Sequence, residues 1–351
     1  MPAEQPSIED FWSSGRWFVH NVDLTGRMQV VRVDANDLER STFLDKRMMV
    51  AGNHEKFALD IEDIARSMPA QVPARGNYIC HLSHVGSTLV SKVLGVPKSV
   101  VGLREPVLLR WLAAMQATAG EAESLTSLER YQRNLKLGIA LLNRPFEGRE
   151  HLLIKATSYA NPVILDALGI QPEARILGLF TPIENFAATI LKKRGGWMDV
   201  LNLAPQRLKR LHAVIGTRKW QLSGMSPGEL AGMSWLAEMA SLNQIHRKAG
   251  DRFRWIDFET FLADPDARLP EMCSHFGIEW AREDEERFNA SGLMGLHSKR
   301  KRAAYSAQDR AAELAKVHAE QADEIARAVQ WVRAALAEHP GLLAQHLWPQ
   351  T

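Results

Sequence analysis

The sequence predicts an α/β protein in which a parallel β-sheet is covered by helices on both faces. From residue 77 onward, short apolar runs alternate with longer stretches of helical periodicity, which is typical of consecutive βα units. With 46% hydrophobic and 24% charged residues, the composition is close to that of an average globular protein. At 351 residues, the chain is long enough for two domains or for one large α/β domain.

The predicted elements follow from these runs in chain order. The strand candidates are residues 78–82, 100–101, 151–155, 175–180 and 253–257. The helix candidates are residues 89–94, 106–119, 124–143, 161–168, a segment after Pro182, 228–249, 259–275 and 306–337. Pro106 suits the first turn of its helix, because the backbone N–H that proline lacks has no helical partner there. We therefore assign residues 76–351 to one α/β domain that ends in a helix.

Residues 1–75 are predicted to form a separate N-terminal extension that contains β-structure. Two runs of β-branched and aromatic residues, at 17–19 and 28–33, flank a turn-like segment and predict a hairpin. Short helices are expected near 36–45 and 53–67, and the Pro-containing segment 69–76 is typical of a linker.

Charge and cysteine content exclude several classes of protein. The 43 Lys and Arg against 41 Asp and Glu leave a net charge of +2, too balanced for a protein that coats nucleic acid or an anionic membrane. Cys80 and Cys273 are too few for a disulfide scaffold or a zinc site. The acidic, Pro-containing start differs from a signal peptide, and no apolar run reaches the ~18 residues of a membrane span. We expect a soluble, cytoplasmic protein without metal, nucleic-acid or membrane partners.

The most informative segment is the turn His84-Val85-Gly86-Ser87-Thr88, which lies between a predicted strand and a predicted helix. Gly86 allows an anion to approach the backbone closely, and the following amides and the two hydroxyls suit a phosphate group. The alternative is that Ser87 and Thr88 only cap the helix. The turn lacks the Gly-Lys-Ser/Thr ending of the nucleotide triphosphate loop, which argues against Mg²⁺-dependent hydrolysis of ATP or GTP.

This turn resembles the 5′-phosphosulfate loop of the sulfotransferase family, whose members use 3′-phosphoadenosine-5′-phosphosulfate (PAPS). Three later segments resemble the family in order: a strand ending in Lys at 153–157, a strand leading to the 3′-phosphate element at 174–182, and a strand–helix block at 255–265 and 273–278. The resemblance covers about residues 77–310. It implies a P-loop-like α/β fold and a metal-independent transfer of a sulfuryl group to a hydroxyl of a small molecule or glycan, with the bisphosphate PAP as product.

The resemblance also implies roles for individual residues. Gly86, Ser87 and Thr88 would bind the phosphosulfate, and His84 lies where the family has a basic residue. Glu105 would accept the proton of the acceptor, with His84 as an alternative base, and Lys155 would stabilise the transferring group. The alternative roles are that Glu105 is a helix N-terminal acid and that Lys155 is a surface lysine.

Several positions depart from the family pattern. Phe180 and Ala188 stand where the family has the Arg and Ser that bind the 3′-phosphate. Thr189 and Lys192, one turn along the same helix, are candidate substitutes. A run of cations near the family's Gly-x-x-Gly-x-x-Lys loop provides the further cofactor candidates Lys299, Arg300 and Arg302. The alternative for this run is a solvated face.

These departures keep a second hypothesis open. Under this second hypothesis, the chain is a non-catalytic protein of the same fold that binds another anionic ligand or a protein partner. The segment 192–228 also has three interpretations, as a lid over an acceptor pocket, a surface helix pair or a contact of a homodimer.

Overall fold

The computed structural model describes residues 6–23, 26–45, 48, 55–71, 75–192, 194–295 and 306–348. The chain divides into two compact units. The first unit consists of Met1–Cys80, Thr88–Ile176 and Asp266–Leu293, and the second of His81–Ser87, Leu177–Pro265 and Met294–Thr351. The division of the chain into residues 1–75 and 76–351 stays a prediction. Within the described ranges, no helix has both the length and the hydropathy needed to cross a membrane.

An antiparallel sheet of three strands begins the first unit. Strands β1 (Trp17–Val22) and β2 (Arg27–Arg32) form the predicted hairpin, with Trp17 opposite Arg32 and Val22 opposite Met28. A third strand, β3 (Lys56–Asp60), pairs with β2. The predicted helix over 53–67 is therefore wrong in its first half. Cross-strand pairing with β2 determines the conformation of these five residues, which local sequence preference does not reveal.

The second sheet confirms the predicted α/β class. It has five strands in the order β5-β6-β4-β7-β8, and β6 runs parallel to both β4 and β5. The strands are β4 (Gly76–His81), β5 (Val100–Arg104), β6 (His151–Lys155), β7 (Ile176–Phe180) and β8 (Phe253–Asp257). All five residues of β5 are buried, as expected for a parallel strand that is covered on both faces.

The described helices match most of the predicted helical stretches. In the first unit they are α1 (Ile8–Ser13), α2 (Ala35–Arg40), α3 (Ile61–Arg66), α4 (Ser87–Val93, whose first residue belongs to the second unit), α5 (Val107–Gln116), α6 (Leu128–Leu142), α7 (Asn161–Ala167), α12 (Pro265–His275, whose first residue also belongs to the second unit) and α13 (Arg282–Ser291). In the second unit they are α8 (Ile183–Lys192), α9 (Arg194–Ile215), α10 (Pro227–Ala249), α11 (Phe258–Ala263), α14 (Ala307–Glu320) and α15 (Ala322–Glu338).

Two predicted helices are each divided in the structure. The stretch 259–275 forms α11 and α12, because Asp264 leaves the helical conformation ahead of Pro265. The stretch 306–337 forms α14 and α15, with the break at Gln321. The segment after Lys192 contains α9, a helix of 22 residues.

Candidate active site

The first unit brings together Glu105 and Lys155, which are 50 positions apart in the sequence. Lys155 is the last residue of β6, and Glu105 directly follows β5, the strand paired with β6. The Glu105 N–H donates to the carbonyl oxygen of Lys155 at 2.8 Å, and Lys155 Nζ donates to Glu105 Oε1 at 2.5 Å. The Lys155 side chain is 1% exposed and that of Glu105 is 17% exposed. A buried ammonium group is therefore paired with a partly accessible carboxylate.

Arg104 fixes the chain immediately before Glu105. Its buried guanidinium donates to the carbonyl oxygens of Leu38, Glu39 and Ser41, which end helix α2. Burial lowers the pKa of Arg104 to about 10, so the group stays protonated at neutral pH. These hydrogen bonds anchor β5 at the residue where its backbone turns toward Glu105.

The backbone conformation singles out two of the predicted site residues. Among the described residues other than glycine, those with a left-handed φ are His84, at +58°, and Glu105, at +54°. Such a conformation costs about 1–3 kcal/mol and persists only where the surrounding structure imposes it. Strained residues of this kind concentrate at functional sites. His84 belongs to the second unit and Glu105 to the first, so the observation applies to each unit separately.

In the second unit, Gly86 lies in the turn that the sequence singled out. Its φ is +80°, and a Cβ placed there would lie 2.1 Å from Cζ of Phe258. The Phe258 ring is buried, stacks on Phe261 at 6.1 Å, and has the Arg310 guanidinium 5.2 Å from its centroid. Glycine is therefore required here both by backbone conformation and by close packing against an aromatic ring.

We expect Gly86→Ala to lower the free energy of unfolding by about 1–3 kcal/mol, because the added methyl group meets a packed ring and the φ angle disfavours any side chain. Urea denaturation measures the loss. Phe258→Leu in the same background should recover part of it, whereas Phe258→Leu alone should destabilise the protein. An additive double variant would contradict the contact as the cause.

Ser87 and Thr88 are both buried at the start of α4, Ser87 in the second unit and Thr88 in the first. Their predicted role as anion ligands stays a prediction. His81 is buried at the end of β4, and its Nδ1 lies 2.6 Å from the Leu82 carbonyl oxygen.

The described cofactor candidates are engaged in contacts within the second unit. Thr189 Oγ1 donates to the carbonyl oxygen of Asn185 at 2.7 Å, and Lys192 forms an ion pair with Glu313. Phe180 packs edge-on against Trp255 at 5.7 Å, and Ala188 is fully buried. Lys299, Arg300 and Arg302 lie outside the described residues. Their assignment to the cofactor stays a prediction, as does that of Thr189 and Lys192.

Sequence reasoning missed a group of charged side chains next to His84. Arg207 on α9 and Glu238 on α10 are fully buried and joined by a hydrogen bond of 2.9 Å, and Arg207 also contacts Asp199 at 3.0 Å. One signal could have found it. Glu238 is the one charged residue between Glu229 and His246, in a stretch of mostly apolar and small residues, which indicates a buried acid.

A second missed cluster surrounds Glu259. Its Oε1 accepts hydrogen bonds from Thr181 Oγ1 at 2.8 Å and from Arg310 Nη2 at 2.7 Å. Thr181 directly follows Phe180, the position where the resemblance leads us to expect a phosphate ligand. The cation of this cluster, Arg310, comes from α14, far along the chain, which explains why no local motif revealed it.

Among the described residues, no three His, Cys, Asp or Glu side chains are grouped as potential metal ligands.

Comparisons with known proteins give similar solved structures. No protein-family model matches the chain, and no curated protein matches it. The sulfotransferase domain from the curacin biosynthetic pathway is 14% identical with a TM-score of 0.41, and the similarity covers 72% of this chain and 99% of that one. The sulfotransferase domain from the olefin synthase of Synechococcus PCC 7002 is 15% identical with a TM-score of 0.39, covering 71% and 96%. Sulfotransferase STF9 from Mycobacterium avium is 14% identical with a TM-score of 0.39, covering 75% and 79%. All three of these solved structures are sulfotransferases or sulfotransferase domains.

Proposed function

We propose that the protein transfers a sulfuryl group from PAPS to a hydroxyl of a small-molecule or glycan acceptor. The observation that carries the proposal is the strained backbone at His84 and Glu105. The resemblance to the sulfotransferase family assigns both residues to the site, and both adopt a strained conformation of the kind that clusters at functional sites. The ion pair of Glu105 with the buried Lys155 supports the same function.

The reaction assigns a step to each member of this pair. In sulfuryl transfer, the acceptor oxygen forms a bond to sulfur while the bond from sulfur to the 5′-phosphate oxygen breaks and PAP leaves. The carboxylate of Glu105 takes the proton of the acceptor hydroxyl. The ammonium group of Lys155 stabilises the negative charge on the transferring group, and its burial strengthens that electrostatic effect. The fixed backbone at Glu105 holds the carboxylate in place before the acceptor binds.

The described residues fit the transfer chemistry better than the 3′-phosphate of PAPS. Phe180 contacts Trp255, Ala188 is buried, and Lys192 is paired with Glu313. These contacts favour a second candidate function, in which the protein binds an anion without a 3′-phosphate, or a protein partner, and does not catalyse transfer. The two candidates differ in one measurable property, the affinity for PAP.

Calorimetric titration with PAP, adenosine 5′-phosphate and Mg-ATP separates these functions. We expect micromolar binding of PAP without Mg²⁺ and much weaker binding of the other two. Thr88→Ala should weaken PAP binding about fivefold, because a hydroxyl hydrogen bond contributes about 1 kcal/mol. Thr88→Ser keeps the hydroxyl and should bind as the wild type does, and the exposed Thr217→Ala is the control for the substitution itself.

Two results of this titration would contradict the proposal. If PAP does not bind, or binds no more tightly than adenosine 5′-phosphate, the donor is not PAPS. If Thr88→Ala and Thr88→Ser bind PAP as the wild type does, the turn is not the anion-binding element.

A further inference from the structure

A buried charge network lies within the second unit and reaches the turn that contains His84. Its innermost members are Arg207 and Glu238, both fully buried, with Arg207 Nε donating to Glu238 Oε1 at 2.9 Å. Arg210 Nη2 lies 3.5 Å from the same oxygen. Burial by itself would lower the pKa of Arg207, but the carboxylates of Glu238 and Asp199 outweigh this effect and raise it. Arg207 is therefore a permanent cation in the interior.

The guanidinium of Arg207 donates hydrogen bonds to two atoms of Asp199. Nη2 donates to Asp199 Oδ2 at 3.0 Å, and Nη1 donates to the main-chain oxygen of Asp199 at 3.3 Å. Nη2 also donates to Ser83 Oγ at 3.4 Å, and Ser83 directly precedes His84. One buried side chain thus fixes both a residue of helix α9 and the beginning of the turn.

Asp199 in turn faces His84. Its Oδ2, the atom that accepts from Arg207, lies 3.9 Å from Nε2 of the imidazole. The side chains of His84 and Asp199 are 27% and 31% exposed, in contrast to the fully buried Arg207 and Glu238. The contacts therefore run from the interior outward, from Glu238 through Arg207 and Asp199 to His84.

We infer that Asp199 is a positioning residue, held in place by Arg207, that fixes the orientation of the His84 imidazole in the anion-binding turn. This inference rests on the proposed function, because it takes the turn as the site of the anion. The left-handed backbone of His84 requires surroundings that impose it, and the hydrogen bonds of Arg207 to Ser83 and Asp199 are such surroundings. A fixed imidazole loses less freedom when the anion binds, so the affinity of the turn increases.

A double-mutant cycle on PAP affinity tests the coupling of the two side chains. Asp199→Asn should weaken PAP binding about tenfold in the wild-type background, within the range that contacting residues show. In the His84→Gln background, the same substitution should change the affinity less than about twofold, since the residue it positions is already absent. Asp251 is exposed and belongs to the same unit, but not to this network. Asp251→Asn therefore removes an equal charge and should leave the PAP affinity unchanged.

Hydrogen exchange without ligand provides a second measurement that does not depend on PAP. Asp199→Asn should raise the exchange rate of a peptide covering residues 81–87 about tenfold, because the turn loses a contact that limits its opening. Asp251→Asn should leave that rate unchanged. If the wild type does not bind PAP, the proposed function fails while this measurement still decides whether Asp199 orders the turn. Equal loss of PAP affinity in both backgrounds, or unchanged exchange over residues 81–87, would overturn the inference.

Discussion

Glu105→Gln is expected to lower turnover by a factor of about 10² to 10⁴ while changing the affinity for PAP by less than about twofold. Glutamine has nearly the same shape and still offers an oxygen to Lys155 Nζ, which donates to the carboxylate in the wild type. What it cannot do is accept the proton of the acceptor hydroxyl. The effect therefore falls on the chemical step and not on donor binding. The rate of PAP release from PAPS measures it, with an acceptor selected by screening small-molecule and glycan alcohols against the wild type.

Matched variants make this result specific. Glu105→Asp keeps a carboxylate one methylene shorter and should retain more activity than Glu105→Gln. Glu173→Gln makes the same chemical change at an exposed position of the same unit and should have wild-type turnover. Thermal denaturation must accompany the assay, since Lys155 is 1% exposed and depends on Glu105 as its partner. Turnover of folded Glu105→Gln within a factor of about three of the wild type would remove Glu105 as the base.

The second large effect concerns stability. Arg207→Met or Glu238→Gln should each lower the free energy of unfolding by about 3 kcal/mol, because either change removes the 2.9 Å ion-pair partner of a fully buried charge. The remaining contacts, of Arg207 with the part-exposed Asp199 and of Glu238 with Arg210 at 3.5 Å, compensate for only part of this loss. The double variant Arg207→Met, Glu238→Met should lose less than the sum of the single losses, since no uncompensated charge remains between these two positions. Urea denaturation gives the loss as a shift of the midpoint at constant slope.

The exposed ion pair of Arg282 and Glu286 is the control for these charge removals. Its side chains are 88% and 66% exposed, so Arg282→Met should have no measurable effect on the urea midpoint. Single losses at Arg207 and Glu238 as small as that at Arg282 would show that water reaches the pair and that its burial does not determine its contribution.

Much of the fold could be predicted because the signals are local. Residues 151–155 are predicted as a strand from a continuous apolar run, and the structure places β6 at His151–Lys155. The hairpin of β1 and β2 is predicted from two β-rich runs around a turn. In contrast, β3 was missed, because residues 56–60 become a strand by pairing with β2, and partners 25 to 33 positions away leave no local signal.

For the candidate site, the sequence selected Glu105, Lys155 and His84 because they lie in short local motifs that resemble those of the sulfotransferase family. It did not show that Glu105 and Lys155 form an ion pair, since that contact depends on the adjacency of β5 and β6 in the sheet. Only the tertiary structure brings Asp199, Arg207 and Glu238 together into a network. A charged residue on a helix has the same local sequence whether it faces water or the interior, and it is helix packing that buries it and supplies its partner.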